Sequence, residues 1–193
     1  MRYFAGCYFL LITCLACNNP YQQPGHKNFV ADSAAKHILP PLPVTPGSTV
    51  HITTGKITPA ELLAFAGTLK GIPYKYGSVD PREGFDCSGF ITYVFNHFNI
   101  MVPRMSIEFT DVEREIPLIE AKPGDLVLFT GTDSTIRKVG HMGIMVSPAG
   151  QPPEFIHATS GKAKGVTITP LNTYYMGRYM KMIRIFPQND LHH

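Results

Sequence analysis

A mixed α+β domain is predicted for residues 58–187, and three observations carry it. Two helical segments come first, five short apolar runs follow, and the links between those runs are short enough for antiparallel pairing. The first helix opens at Thr58-Pro59-Ala60-Glu61, where threonine can cap, proline suits the first helical position and glutamate completes a capping box. Leu62, Leu63, Ala66 and Leu69 give it an apolar face, and Gly71 with Pro73 ends it. A loop running from Tyr74 past Pro81 and Gly84 delivers the chain to Asp86-Cys87-Ser88-Gly89. Phe90, Ile91, Val94, Phe95 and Phe98 then recur at helical spacing, which makes the second helix.

After a connection containing Pro103-Arg104 and Pro117, the Pro123-Gly124 turn leads into a strand over 125–129. Residues 141–146 read as the next, with His141, Gly143 and Met145 on one face and Met142, Ile144 and Val146 on the other. The Ala149-Gly150 turn leads to Phe155-Ile156-His157, and runs over 166–169 and 182–186 complete the set. Residues 188–193 read as a tail.

With 193 residues, of which 44% are hydrophobic and 16% charged, the chain can bury one sizeable core, and wholesale disorder is excluded. The net charge of +3 comes without any lysine or arginine block, which argues against a nucleic-acid partner.

Three of the four cysteines, Cys7, Cys14 and Cys17, fall in a leader whose only charge is Arg2 and whose body is almost wholly apolar. It is too short for a spanning helix and reads as an export signal over residues 1–16. Cleavage after Ala16 leaves Cys17 first, and a cysteine after a small residue at the end of a short apolar run resembles a bacterial lipoprotein signal. Lipidation at Cys17 is therefore expected, with a membrane anchor at the cell envelope. The alternatives are acylation at Cys14, three residues after Leu11, and an ordinary secretory signal cut nearby. Residues 17–57 carry Pro20, Pro24, Pro40, Pro41, Pro43 and Pro46 without a sustained period, and are expected to be an extended tether.

If Cys17 is acylated, Cys87 is left as a thiol with no intramolecular partner in an oxidising compartment. A lone cysteine is often a small buried hydrophobe. At a helix start, however, unpaired amides and the helix dipole favour a thiolate, so a lowered pKa is expected. A cysteine nucleophile needs an imidazole to exchange its proton and a group to orient that imidazole. His141 and His157 lie on predicted strands sixteen residues apart across a turn, where they could stand side by side.

Four blocks resemble the NlpC-type cell-wall cysteine peptidases in order and spacing: Asp86-Cys87-Ser88-Gly89-Phe90, Pro123-Gly124-Asp125-Leu126-Val127, Gly140-His141-Met142-Gly143-Ile144 and Phe155-Ile156-His157-Ala158. The likeness extends to Gly71-Ile72-Pro73-Tyr74 and to Pro103-Arg104. It implies a papain-like fold with the cysteine helix packed on a curved antiparallel sheet. It also implies a triad of Cys87 as nucleophile, His141 as general base and acid, and His157 as the residue orienting it. Tyr74, Asp86 and Ser88 match residues that line the substrate site in that family, and Arg104, Lys75 and Arg82 are further candidates for meeting substrate carboxylates. The implied reaction is hydrolysis of the γ-D-glutamyl to diaminopimelate bond in peptidoglycan stem peptides, by a monomer needing no metal or cofactor. Two other readings stay open: an amidase of similar fold cutting between the sugar lactyl group and L-alanine, and a weakly active wall-binding lipoprotein scaffold. A zinc site on Cys87, His141 and His157 is disfavoured, because their spacing matches no compact metal motif.

Overall fold

Thr58 caps the first helix as its sequence requires. Its Oγ1 accepts from the Glu61 N–H at 3.3 Å, and the Glu61 carboxylate accepts from the Thr58 N–H at 2.9 Å, closing a capping box at the head of α1 (Pro59–Thr68). The computed structural model describes residues 38–148 and 150–191. The expected signal over 1–16, Cys17 and the first part of the tether lie outside the described residues. No helix among those described is long and apolar enough to cross a membrane.

The second helix, α2 (Cys87–His97), is buried along nearly its whole length because apolar residues occupy most of its circumference. Among the described residues the strands are β1 (Arg114–Ile116), β2 (Leu126–Thr130), β3 (Val139–Met145), β4 (Glu154–Thr159), β5 (Gly165–Pro170) and β6 (Tyr179–Arg184), with a short α3 (Thr173–Arg178) before the last. They form one antiparallel sheet in the order β1-β6-β2-β3-β4-β5.

The sheet has two apolar faces. Leu126, Leu128, Met142, Ile144, Ile156 and Ala158 share a core with both long helices. Val127, Phe129, Met145, Phe155 and Met182 form a second cluster, closed by Tyr175 of α3. The alternation expected for 141–146 is thus present, and it puts His141 on the α3 side. Phe90 and Phe95 of α2 are fully buried, and truncating either to alanine costs about 3–5 kcal/mol.

The folded unit is larger than the expected 58–187. Val50 and Ile52 are buried in the main core, and the Val50 N–H donates to Asp111 O at 2.9 Å. Leu42 N–H likewise donates to Val102 O at 3.0 Å, so residues 38–57 pack on the domain instead of hanging free as a tether. Proline there sets an extended backbone, and that backbone lies along the domain surface. The expected tail is held too. Asp190 bridges Arg114 and Arg184, each at 2.6 Å, and Asn189 donates to Pro123 O at 3.0 Å. Arg184 is itself paired with Asp125, which is fully buried beneath it. Three differences in the elements complete the corrections: β1 and α3 are additional, and the last strand begins at Tyr179 instead of Met182.

Candidate active site

Asp86 caps α2 with its side chain, accepting from the Gly89 N–H at 2.5 Å, and so fixes Cys87 as the first residue of the helix. Arg104 forks onto that carboxylate, with Nη2 at 2.7 Å from Oδ2 and Nη1 at 3.1 Å from Oδ1, and Nη1 also donates to Ser88 Oγ at 3.0 Å. The helix start is therefore clamped from outside by a charge-assisted pair. Gly89 lets the preceding loop close down on it, since a Cβ there would stand 2.1 Å from the Ser78 carbonyl oxygen. That same oxygen accepts from the Asp86 N–H at 3.1 Å.

Cys87 Sγ lies 3.9 Å from Gly140 O, which brings it beside the residue preceding His141. His141 Nε2 stands 2.8 Å from His157 Nδ1, and His157 Nε2 stands 2.9 Å from Thr169 Oγ1. The period-two spacing of β3 and β4 produces this pairing, because both rings project from the same face. Phe129 stacks on His141 and Phe155 lies against His157, which leaves the rings little freedom. Gly143 makes the approach of the strands possible. A Cβ there would stand 2.5 Å from Phe155 Cδ2 and 3.2 Å from His157 Cβ.

The electrostatics correct one expectation. Burial pushes the Cys87 thiol up to about 11, and the Asp86 carboxylate adds to the rise. The Ser88 and Cys87 backbone amides and the Arg104 charge pull the other way, but they lose to desolvation. The helix start acts as anticipated, yet the thiol is too deeply set for it to win. Burial also holds His141 well below the usual imidazole range, with His157 and Arg178 contributing. His157 is pushed down to about 3, by burial first and by Arg178 second. The resting thiol and both imidazoles are thus uncharged at neutral pH.

Cys87 and His141 open onto a cleft of about 950 Å³, lined also by Tyr74, Thr169, Tyr175 and Arg178. Tyr74 is placed there by two loop bonds, its N–H to Lys164 O at 2.9 Å and the Phe85 N–H to Pro73 O at 2.9 Å. The other expected substrate contacts are engaged elsewhere: Asp86, Ser88 and Arg104 bind one another, Lys75 pairs with Glu83 at 2.7 Å, and Arg82 pairs with Asp80 at 2.7 Å. Sequence reasoning missed Thr169, Tyr175 and Arg178. The side chain of Arg178 is fastened to Thr130 O and Gly131 O, each at 2.9 Å, and lies over the Tyr174 ring. Thr169 could have been found from strand alternation on β5, whereas α3 carries no apolar period to announce it.

Several known proteins resemble this chain in sequence or in fold. The chain is 32% identical over 129 residues to the Gamma-DL-glutamyl hydrolase of Bacillus subtilis (strain 168), matching 66% of this chain and 30% of the relative. It is 31% identical over 122 residues to Murein DD-endopeptidase MepS/Murein LD-carboxypeptidase of Escherichia coli (strain K12), matching 62% of this chain and 59% of that one. The chain therefore spans less than two thirds of the length of either relative. A crystal structure of an NlpC/P60 family protein from Bacillus cereus ATCC 10987 superposes with a TM-score of 0.60 at 26% identity, covering 69% of this chain and 42% of its own. The NlpC/P60 family pattern matches residues 71–185, and with this fold around Cys87, His141 and His157 the chain belongs to the NlpC/P60 family.

Proposed function

We propose that the chain is a cysteine peptidase acting on peptidoglycan stem peptides at the γ-D-glutamyl to diaminopimelate bond. One observation carries the chemistry: a thiol at a helix start shares a cleft with an imidazole whose Nε2 is held 2.8 Å from a second imidazole, leaving Nδ1 for the thiol. The bond is suggested by the B. subtilis relative, whose name is that of a γ-glutamyl hydrolase.

In this reading the resting pair is neutral, so the Cys87 proton passes to His141 Nδ1 as Sγ attacks the amide carbonyl. The Cys87 and Ser88 N–H groups, whose influence already lowers the thiol pKa, supply the donors for the developing oxyanion. His141 returns the proton to the departing amine, leaving a thioester. Water, deprotonated by His141, then releases the γ-glutamyl acid and restores the thiol. His157 orients His141 and accepts its Nε2–H throughout. Tyr74 walls the cleft beside the thiol and is assigned to substrate contact. Asp86, Ser88 and Arg104 are assigned first to holding the thiol's helix. Export and anchoring through Cys17 belong to the same proposal, as does action by a monomer at the cell envelope.

The test is digestion of purified sacculi and of free muropeptides, with mass spectrometry of the products. New D-glutamate carboxyl ends paired with diaminopimelate amino ends support the assignment. Free lactyl groups paired with L-alanine amino ends would show an amidase. Loss of cross-links without new glutamate ends would show a bond of the kind named for MepS. Intact substrate after exhaustive incubation would favour the scaffold.

A further inference from the structure

We propose that Thr169 is a positioning residue that holds the two histidines in the tautomers the thiol requires, acting as hydrogen-bond acceptor for His157. The observation is a chain of contacts: His141 Nε2 to His157 Nδ1 at 2.8 Å, then His157 Nε2 to Thr169 Oγ1 at 2.9 Å. His157 is wholly buried and Thr169 is half-buried on the cleft wall. The catalytic consequence rests on the thiol and imidazole reading above.

The direction of the chain follows from proton counting. To take the Cys87 proton, His141 must present a bare Nδ1, so its own proton sits on Nε2 and is donated to His157. His157 Nδ1 must then be the acceptor, which places the His157 proton on Nε2, facing Thr169. The hydroxyl oxygen accepts it, and the hydroxyl hydrogen turns toward the cleft. The opposite direction, with Thr169 donating, would place a proton on His157 Nδ1, make His141 Nε2 an acceptor and leave Nδ1–H against the thiol. His141 could then accept nothing. Once His141 carries two protons the constraint tightens, because among the described residues its Nε2–H is hydrogen-bonded to His157 Nδ1 alone. A buried neutral imidazole is a weaker orienting group than a carboxylate, which is why the acceptor behind it matters.

Thr169→Val keeps the β-branched shape on an exposed-edge strand while removing the acceptor. Nitrogen NMR of the ring nitrogens, on the ligand-free protein, should show His157 Nε2 protonated and Nδ1 bare in the wild type. The pattern should be lost or mixed in Thr169→Val. Alkylation of Cys87 by iodoacetamide, followed by peptide mapping, should slow about tenfold in Thr169→Val, with Thr169→Ser recovering most of the rate. On muropeptides the same variant should lower kcat by a similar factor with KM little changed. A wild type with the proton on His157 Nδ1 would overturn the proposal, as would a Thr169→Val protein with unchanged ring nitrogens or an unchanged alkylation rate. Because the first two readouts need no substrate, a wild type that alkylates as expected but hydrolyses no muropeptide would overturn the peptidase reading alone.

Discussion

Replacing Arg104 by methionine would leave the buried Asp86 carboxylate with its cation gone. The structure sets the size of the effect. Arg104 makes two bonds to Asp86 and one to Ser88, of 2.7 to 3.1 Å. Removing one partner of a fully buried pair costs about 3–5 kcal/mol. Here the Arg104 side chain is 26% exposed and that of Asp86 10%, so solvent screening reduces the expected loss to about 2–3 kcal/mol. For a domain of this size that is a fall in Tm of about 5–10 °C. The carboxylate left behind is the source of much of the cost, so Asp86→Asn in the Arg104→Met background should recover part of it, giving a non-additive double-mutant cycle. The two changes should move thiol reactivity in opposite directions. Arg104 lowers the Cys87 pKa and Asp86 raises it, so alkylation at fixed pH should slow in Arg104→Met and quicken in Asp86→Asn. Thermal melts and iodoacetamide kinetics on the four proteins read both. Additive losses, or a Tm within a degree of wild type for Arg104→Met, would refute the clamp.

Three further outcomes follow from the same geometry. His141 and His157 both have depressed folded-state pKa values, so the unfolded chain binds protons that the folded form refuses. Stability should fall as pH drops below about 6.5, with the His157 contribution continuing toward 3, by up to about 1.4 kcal/mol per pH unit per histidine. Urea unfolding at stepped pH should show this slope, and His157→Gln should reduce it. The raised Cys87 pKa works at the other end: stability should decline as pH rises from about 9 toward 11, and Cys87→Ala should flatten that limb. Gly143→Ala should push β4 away through the Phe155 and His157 contacts, costing about 1–3 kcal/mol of stability and lowering kcat in a muropeptide assay more than its melting curve suggests. A fully active Gly143→Ala protein would show that the spacing of the two histidine strands is not under tight constraint.

How much of this was legible in the chain depended on how local each cause is. The capping box at Thr58 and Glu61 involves four consecutive residues, and it forms as read. Strand alternation sufficed to bring His141 and His157 to one face, because β3 and β4 pair across a short turn. The family resemblance, resting on four short blocks, anticipated the fold. By contrast, Val50 joins the core through Val112, sixty-two positions away, and nothing in the proline-rich stretch around it signals that bridge. The short α3 has six residues and no apolar period, yet its Tyr175 and Arg178 wall the cleft. The direction of the thiol pKa is hidden from sequence for the same reason. A helix start is visible in sequence, whereas the burial that outweighs it is a property of the assembled tertiary structure. In sequence Arg104 reads as a substrate contact, and its bond to Asp86, eighteen positions away, emerges only in the folded structure.

The central claim is that Cys87 is the nucleophile of a peptidoglycan peptidase, and muropeptide hydrolysis by Cys87→Ala tests it most directly. The substitution removes the thiol from a buried position at little cost in volume, so the variant should melt close to wild type. Mass spectrometry after prolonged incubation should then find the stem peptides uncut by the variant and cleaved between γ-D-glutamate and diaminopimelate by the wild type. The same cleavage products from a folded Cys87→Ala protein would contradict the account.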